Sequence, residues 1–377
     1  MSFRTNLVGC LSAILALAVP LARGQDAIKL GHYGSLTGSE ATFGTSTSNG
    51  VKLAIAELNA NGGIDGKQVT LVEYDTKGDP REAGAVVTHL VNSDKVIGVI
   101  GEVASSLSLA GAPVCQQGGV PMITPSSTNP KVTLVGDYIF RVCFIDPFQG
   151  YVGAKFSVDT LHAKNAAILI DQSSAYAVGL ADEFKKNFEK LGGTITTTQS
   201  YNKGDQDFSA RLTAIRAGNP DVIYIPGYYT DVANIAVQAR KLGITQPLVG
   251  GDGWDSEELA KNAGKAIEGC YYSNHAAPDD PSPVLQGFIA KYKDEYGAQP
   301  DALAALGYDA ANVFFAALKQ THGEGGAKLR DALAATKNFG GVTGSINFNA
   351  TRDAVKPAVV LTIKDGQPKF VTTIKPE

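Results

Sequence analysis

The sequence predicts an α/β fold made of two doubly wound open sheets. Short Val- and Ile-rich bursts alternate with segments of helical period, the alternation restarts once along the chain, and the late helices are followed by further strand patterns. In the first series the bursts are Ile28–Tyr33, Val69–Asp75, Val96–Gly101 and Val120–Thr124, with amphipathic helices expected at Ser48–Asn61, Pro80–Asn92 and Ser105–Gln117. The second series has strands at Ala166–Asp171, Thr194–Thr198, Val222–Pro226 and Pro247–Gly250, with helices at Tyr176–Leu191, Phe208–Ala217 and Thr230–Leu242. Eight such units would also suit a (β/α)8 barrel. The tail argues against one: helices at Pro283–Tyr296 and Ala302–Lys319 precede strands at Ser345–Phe348, Ala358–Ile363 and Lys369–Thr373. A hairpin cue, Lys364-Asp365-Gly366-Gln367, lies between the last two.

The first 24 residues read differently. Arg4 precedes an apolar run from Leu7 to Val19, then Pro20 and Ala22-Arg23-Gly24, the pattern of a secretory signal peptide (residues 1–24) cleaved before Gln25. Export to the periplasm or beyond follows, which disfavours cytosolic metabolism. Leu7-Val8-Gly9-Cys10 resembles a lipoprotein box, but most of the apolar run follows Cys10, so no lipid is expected there. Nothing after Gln25 approaches the roughly 18 apolar residues of a membrane helix, so the exported chain is expected not to span a membrane. With 33 Lys+Arg against 37 Asp+Glu and no basic cluster, there is no footprint for nucleic acid. Cys115, Cys143 and Cys270 have no CxxC spacing and no neighbouring His, which supports neither zinc nor a redox motif; Cys115 with Cys143 is the one pair worth testing.

In open parallel sheets ligands bind beyond the carboxyl ends of the strands. Those positions here carry Glu102-Val103-Ala104-Ser105-Ser106 and Pro125-Ser126-Ser127-Thr128-Asn129-Pro130, hydroxyls beside helix entries that suit a carboxylate or phosphate unless they are simply caps and turns. Gly251-Asp252-Gly253-Trp254 puts an acid after another burst, where an Asp-Gly turn is the plainer alternative. Tyr176 and Tyr228 close two more. Hydroxyls for an anion, a carboxylate for a cation and tyrosines between them match a zwitterion. No HExxH, GxSxG, GxxxxGK[ST] or strand-following GxGxxG occurs, and the five His are scattered as surface or packing residues, so neither an enzyme nor a metal or cofactor is expected.

These residues resemble the branched-chain amino acid binding proteins of ABC importers, the type I periplasmic binding proteins. The marks run from Ile28-Lys29-Leu30-Gly31 through Ser35-Leu36-Thr37-Gly38, Gly50 to Gly66 (GVKLAIAELNANGGIDG), Tyr74-Asp75, Asp79-Pro80, Gly101 to Ser106 and Pro121 to Pro130 (PMITPSSTNP). Phe140-Arg141, Asp207-Phe208 and Gly227-Tyr228 continue them. The resemblance implies two lobes joined by a three-strand hinge, the first from residues 26–145 plus 275–349, the second from 146–274 plus 350–377. It implies that Ser105 and Thr128 bind the ligand α-carboxylate with their hydroxyls, and Ser126 through its backbone. Asp252 would face the α-ammonium, and Phe43, Tyr176 and Tyr228 would cover the ligand. Departures occur at Asp252, one methylene shorter than the Glu often found there; at Leu303, where some members carry Phe; and at Gly78 and Ala104, where some carry a disulfide. The implied function is a monomeric, non-enzymatic receptor that delivers an amino acid, branched-chain or otherwise hydrophobic, to the permease and ATPase of an importer. Aromatic carboxylates, amides, urea or a signalling partner are the alternatives, with a secreted α/β enzyme as a rival of another class.

Overall fold

The computed structural model describes residues 27–376. The first series runs β1 (Ile28–Gly34), α1 (Ala41–Ala60), β2 (Val69–Asp75), α2 (Pro80–Asn92), β3 (Gly98–Ile100), α3 (Ser105–Gly118), β4 (Met122–Thr124) and β5 (Ile139–Arg141). Its five strands form a parallel sheet in the order β2-β1-β3-β4-β5. Strands β3, β4 and β5 are buried at every position, as strands covered by helices on both faces must be. Asp79 fixes the start of α2 by accepting from the N–H groups of Arg81 (2.7 Å) and Glu82 (3.3 Å), with Pro80 in the first turn.

After α4 (Asp146–Asp159) come β6 (Asn165–Asp171), α5 (Ala175–Lys190), β7 (Thr194–Tyr201), α6 (Ser209–Ala217), β8 (Val222–Ile225), α7 (Tyr229–Lys241), β9 (Leu248–Gly250), α8 (Glu257–Ala263) and β10 (Tyr271–Asn274). The chain continues with α9 (Pro283–Tyr296), α10 (Ala302–Gln320), α11 (Gly326–Ala334), β11 (Phe339–Gly341), β12 (Gly344–Ile346), β13 (Ala358–Lys364) and β14 (Gln367–Ile374). A second sheet has the order β14-β13-β10-β9-β8-β6-β7, parallel except where β13 joins antiparallel to β10 and β14 to β13. The β13–β14 turn has positive φ at Asp365 (53°) and Gly366 (69°), the pair of left-handed residues that a two-residue hairpin needs. Two separate sheets rule out the barrel.

Three stretches of chain cross between the sheets: β5 to α4, β10 to α9, and β12 to β13. Arg141, fully buried at the end of β5, ties the first to the third. Its Nε donates to Asp353 Oδ1 (2.6 Å), and its other nitrogens donate to the Ser127 carbonyl (2.6 Å) and Thr133 Oγ1 (2.9 Å).

Several elements differ from expectation. Helix α1 begins at Ala41, not Ser48, because its first turns are mostly small polar residues around a single buried Phe43 and carry no apolar stripe. A Cβ on Gly44 would stand 2.3 Å from the Ser35 carbonyl oxygen, and one on Gly50 2.0 Å from that of Ala304. The strand expected at Ser345–Phe348 is β12, which pairs only with β11 in a separate ribbon. Cys115 and Cys143 do not pair. Both are free and buried, Cys115 in the core between α3 and the first sheet and Cys143 in another apolar cluster past β5, where its thiol faces the Ser127 carbonyl. The expected signal peptide and Cys10 lie outside the described residues. Among those described, no helix is long and apolar enough to cross a membrane.

Candidate functional site

Both sheets reverse their strand order beside a central strand, at β1/β3 in the first and at β6/β8 in the second. Such switch points open a crevice beyond the strands' carboxyl ends. The crevice here is a narrow cavity with about 240 Å³ of empty space, part of it continuous with solvent. Phe43, Val103, Ser105, Ser126 and Leu303 line it from the side of the first sheet. Tyr176, Tyr228, Asp252 and Gly253 line it from the other. Six of the seven expected site residues therefore meet there. The seventh, Thr128, is buried but does not line the cavity; its hydroxyl faces the buried Asp146 carboxyl without a well-formed hydrogen bond.

On the first side, β3 ends in a loop that leads straight into α3. Glu102 anchors this loop: one oxygen accepts from Ser35 Oγ (2.8 Å) and Thr76 Oγ1 (3.1 Å), the other from the Ala104 N–H (2.7 Å). Burial pushes its carboxyl up to about 7. Ser105 opens α3 but caps nothing; its Oγ accepts the Asn129 N–H (3.2 Å), joining the β3 and β4 loops. Ser126 Oγ is buried with no protein partner.

On the second side, Asp252 starts a 3-10 turn directly after β9. The flanking glycines are required by close approach, since a Cβ on Gly251 would lie 2.4 Å from the Tyr176 hydroxyl and one on Gly253 2.7 Å from the Gly227 carbonyl oxygen. The Gly253 N–H donates to Tyr176 OH (3.2 Å), and the Tyr176 ring stacks on Tyr228 at 5.3 Å and 8°. Asp252 is 5% exposed. Its Oδ1 accepts from Gln149 Nε2 (2.8 Å), and its Oδ2 lies 3.0 Å from His275 Nε2. Burial lowers the pKa of His275, against the pull of Asp252, and no Lys or Arg among the described residues bonds to the Asp252 carboxyl.

The two sides are drawn together. Phe43 meets Tyr228 edge-on at 5.6 Å, the Ala175 N–H donates to Ser106 Oγ (3.0 Å), and Asn129 Nδ2 donates to the Ala175 carbonyl (2.7 Å). Lys203 on the second side pairs with Glu40 on the first at 2.7 Å. Sequence reasoning missed Gln149, for which no signal exists, and read His275 only as a surface or packing residue. His275 does pack, stacked on Phe144 at 3.9 Å, but it also bonds to Asp252. It follows β10, a strand too short to be noticed; once that strand is recognised, its end is where a site residue belongs. No cluster of three or more His, Cys, Asp or Glu among the described residues could hold a metal.

Two doubly wound lobes drawn together over a buried cavity, mostly apolar with a few polar groups on either side, define a two-lobed solute-binding protein. The family described as periplasmic binding protein matches residues 27–368. The Leu/Ile/Val-binding protein homolog 2 of Brucella abortus is 33% identical over 361 residues, covering 95% of each chain. The leucine-, isoleucine-, valine-, threonine- and alanine-binding protein of Pseudomonas aeruginosa is 31% identical over 356 residues, 93% of each. Among solved structures, the leucine-binding protein LivK of Thermotoga maritima is 39% identical with a TM-score of 0.89, over 93% of this chain and 99% of that one. The branched-chain amino acid transporter substrate-binding protein LivJ of Streptococcus pneumoniae, solved with isoleucine, is 35% identical with a TM-score of 0.88, over 93% and 100%. The chain belongs to the periplasmic binding protein family and, within it, to the branched-chain amino acid binding proteins. Its role is solute binding.

Proposed function

We propose that this protein captures a single amino acid with an aliphatic side chain between its lobes and hands it to an ABC importer. The observation that carries this reading is Asp252, a buried carboxylate on the cavity wall with no resident cation, across from the Ser105 and Ser126 hydroxyls. An α-ammonium supplies the missing charge, and an α-carboxylate takes the hydroxyls and loop N–H groups around Ser105 and Ser126, with Thr128, turned toward Asp146, left behind the wall. Phe43, Val103 and Leu303 leave an apolar wall for the side chain, under the cover of Tyr176 and Tyr228. The relatives bind leucine, isoleucine and valine by name, which agrees with that wall.

The lobes that move are residues 26–145 plus 275–349 and residues 146–274 plus 350–377, hinged at the three crossings. The protein works as a monomer without catalytic activity, exported with its signal removed before Gln25. A thermal-shift screen of the twenty amino acids, aromatic carboxylates, amides and urea on ligand-stripped protein tests the reading. Aliphatic amino acids should raise Tm most, since a ligand at a hundred times its Kd adds about 2.7 kcal/mol. A shift only with ligands that lack an amine overturns it. Mass spectrometry of the exported chain should find Gln25 at its start and no lipid.

A further inference from the structure

We propose that His275 is a positioning residue for the ligand's cationic head group, holding Asp252 through Nε2 while its bare Nδ1 offers a proton site that competes with the ammonium, so that amino acid affinity falls in acid. The inference rests on the reading of Asp252 given above.

Asp252 is clamped from behind. Gln149 Nε2, on α4, bonds both Asp252 Oδ1 (2.8 Å) and Ser273 Oγ (3.1 Å), and His275 Nε2 reaches Asp252 Oδ2 at 3.0 Å. The imidazole has little freedom to turn away: its side chain is fully buried and it stacks on Phe144 at 3.9 Å and 26°, while the backbone N–H of His275 donates to Asn274 Oδ1 (2.8 Å). An ionised carboxylate only accepts, so the neutral ring carries its proton on Nε2. That leaves Nδ1 as a lone pair, and it has no hydrogen-bond partner. A proton arriving there makes an imidazolium that neutralises Asp252 without any ligand. An ammonium docking on Asp252 then competes with that proton, which leaves Nδ1 for solvent, one for each ligand bound.

The other groups around the pair are accounted for. Lys356, buried in the crossing before β13, opposes the imidazolium. Asp146 on α4 and Asp255 beyond the Asp252 turn are both raised by burial. Tyr176, Tyr224, Tyr228 and Cys143 also feel the Asp252 charge, and all four are pushed up and remain neutral. Burial lowers the affinity of His275 for that proton, and Asp252 raises it.

The test is calorimetry on ligand-stripped protein between about pH 5 and 8.5, in buffers of different ionisation enthalpy, with whichever of the twenty amino acids shifts Tm most. Wild type should lose affinity by up to tenfold per pH unit on the acid side and release close to one proton on binding there. His275→Gln keeps an amide donor for Asp252 but cannot take a proton. It should stay within about threefold of wild type near pH 8 and lose both the slope and the proton release. His275→Leu, which no longer holds Asp252, should bind worse at every pH, with its unliganded Tm measured alongside. The same slope in His275→Gln as in wild type, or a flat wild-type profile with tight binding, overturns the proposal, because a ring that only packs would give one of these. If no amino acid binds at any pH but a carboxylate without an amine does, the reading of Asp252 itself has failed.

Discussion

Replacing Asp252 by Asn separates the cost of the site from its use. In the ligand-free protein the substitution removes a buried negative charge that only Gln149 and His275 stabilise. The Asn side chain can still accept from Gln149 and, once the His275 tautomer switches, donate to the ring, so the unliganded Tm should be unchanged or higher. With ligand the sign reverses. Truncating one partner of a desolvated charge pair costs about 2–5 kcal/mol, roughly 30-fold to several-thousand-fold in Kd, and at 5% exposure Asp252 belongs to that class. Asp252→Ala should bind as poorly and also leave His275 Nε2 without a partner. Calorimetry and melting curves read both quantities. The control is the des-amino analogue of the best ligand, which should bind wild type weakly and lose far less in Asp252→Asn than the amino acid does. If the amino acid binds both variants normally, Asp252 is a turn residue and the ammonium assignment is wrong.

Arg141→Met leaves Asp353 buried without its cation and should cost about 3–5 kcal/mol of unfolding free energy by urea titration; a loss under about 1 kcal/mol would mean that the hinge does not depend on this pair. Lys203→Met removes a cross-lobe partner from Glu40, whose carboxyl burial already raises; because Lys203 is 35% exposed, ligand release by stopped flow should quicken only about 5- to 30-fold, and an unchanged rate would remove Lys203 from closure. Burial pushes Glu102 to about 7 and Asp146 to about 8, and raises Asp255 and Asp301 too. Acids raised on folding stabilise fully below their unfolded pKa and lose that contribution as pH climbs through the folded value, so the ligand-free Tm should fall between about pH 4 and 8. Two groups oppose this on the acid side: His275, lowered by burial, loses stability as pH drops below its ordinary range, and Glu73, which His32, Lys52 and Ser48 hold at about 2 against its burial, does so below about pH 4.5.

What could be read from the sequence divides along physical lines. Helix α2 and strand β2 were legible to the residue, because Asp79-Pro80 is a cap with a local mechanism and Val69–Asp75 is a long burst between turn signals. The start of α1 was not, since Gly44, Thr47, Ser48 and Gly50 are small for the sake of helix α10 and the β1 loop, partners that lie far off in sequence. Strands β5 and β10, of three and four residues, carry too little pattern to stand out, and missing β10 hid His275 at its end. The cavity-lining residues were legible where a strand end was: Ser105, Ser126 and Asp252 each follow one. Gln149 sits inside α4, a helix with no strong apolar stripe, and only the three-dimensional structure brings it beneath Asp252.

The same residues that define the cleft make it a poor interior. A buried polar group without a partner costs roughly 1–3 kcal/mol, and Ser126 Oγ stands in that condition on one lobe, while Asp252 on the other is held only by Gln149 and His275. On the reading proposed above, opening the lobes would return both to water, and a ligand would return both to partners. Closure without ligand does neither, so the closed form should be the minor state until a zwitterion arrives, and affinity should be lower than the contacts alone would give by the fraction closed. Small-angle scattering of stripped protein should therefore show compaction on adding the amino acid. Identical curves with and without it, on protein proven free of carried-over ligand, would mean that the lobes are rigid and that the cost is borne permanently.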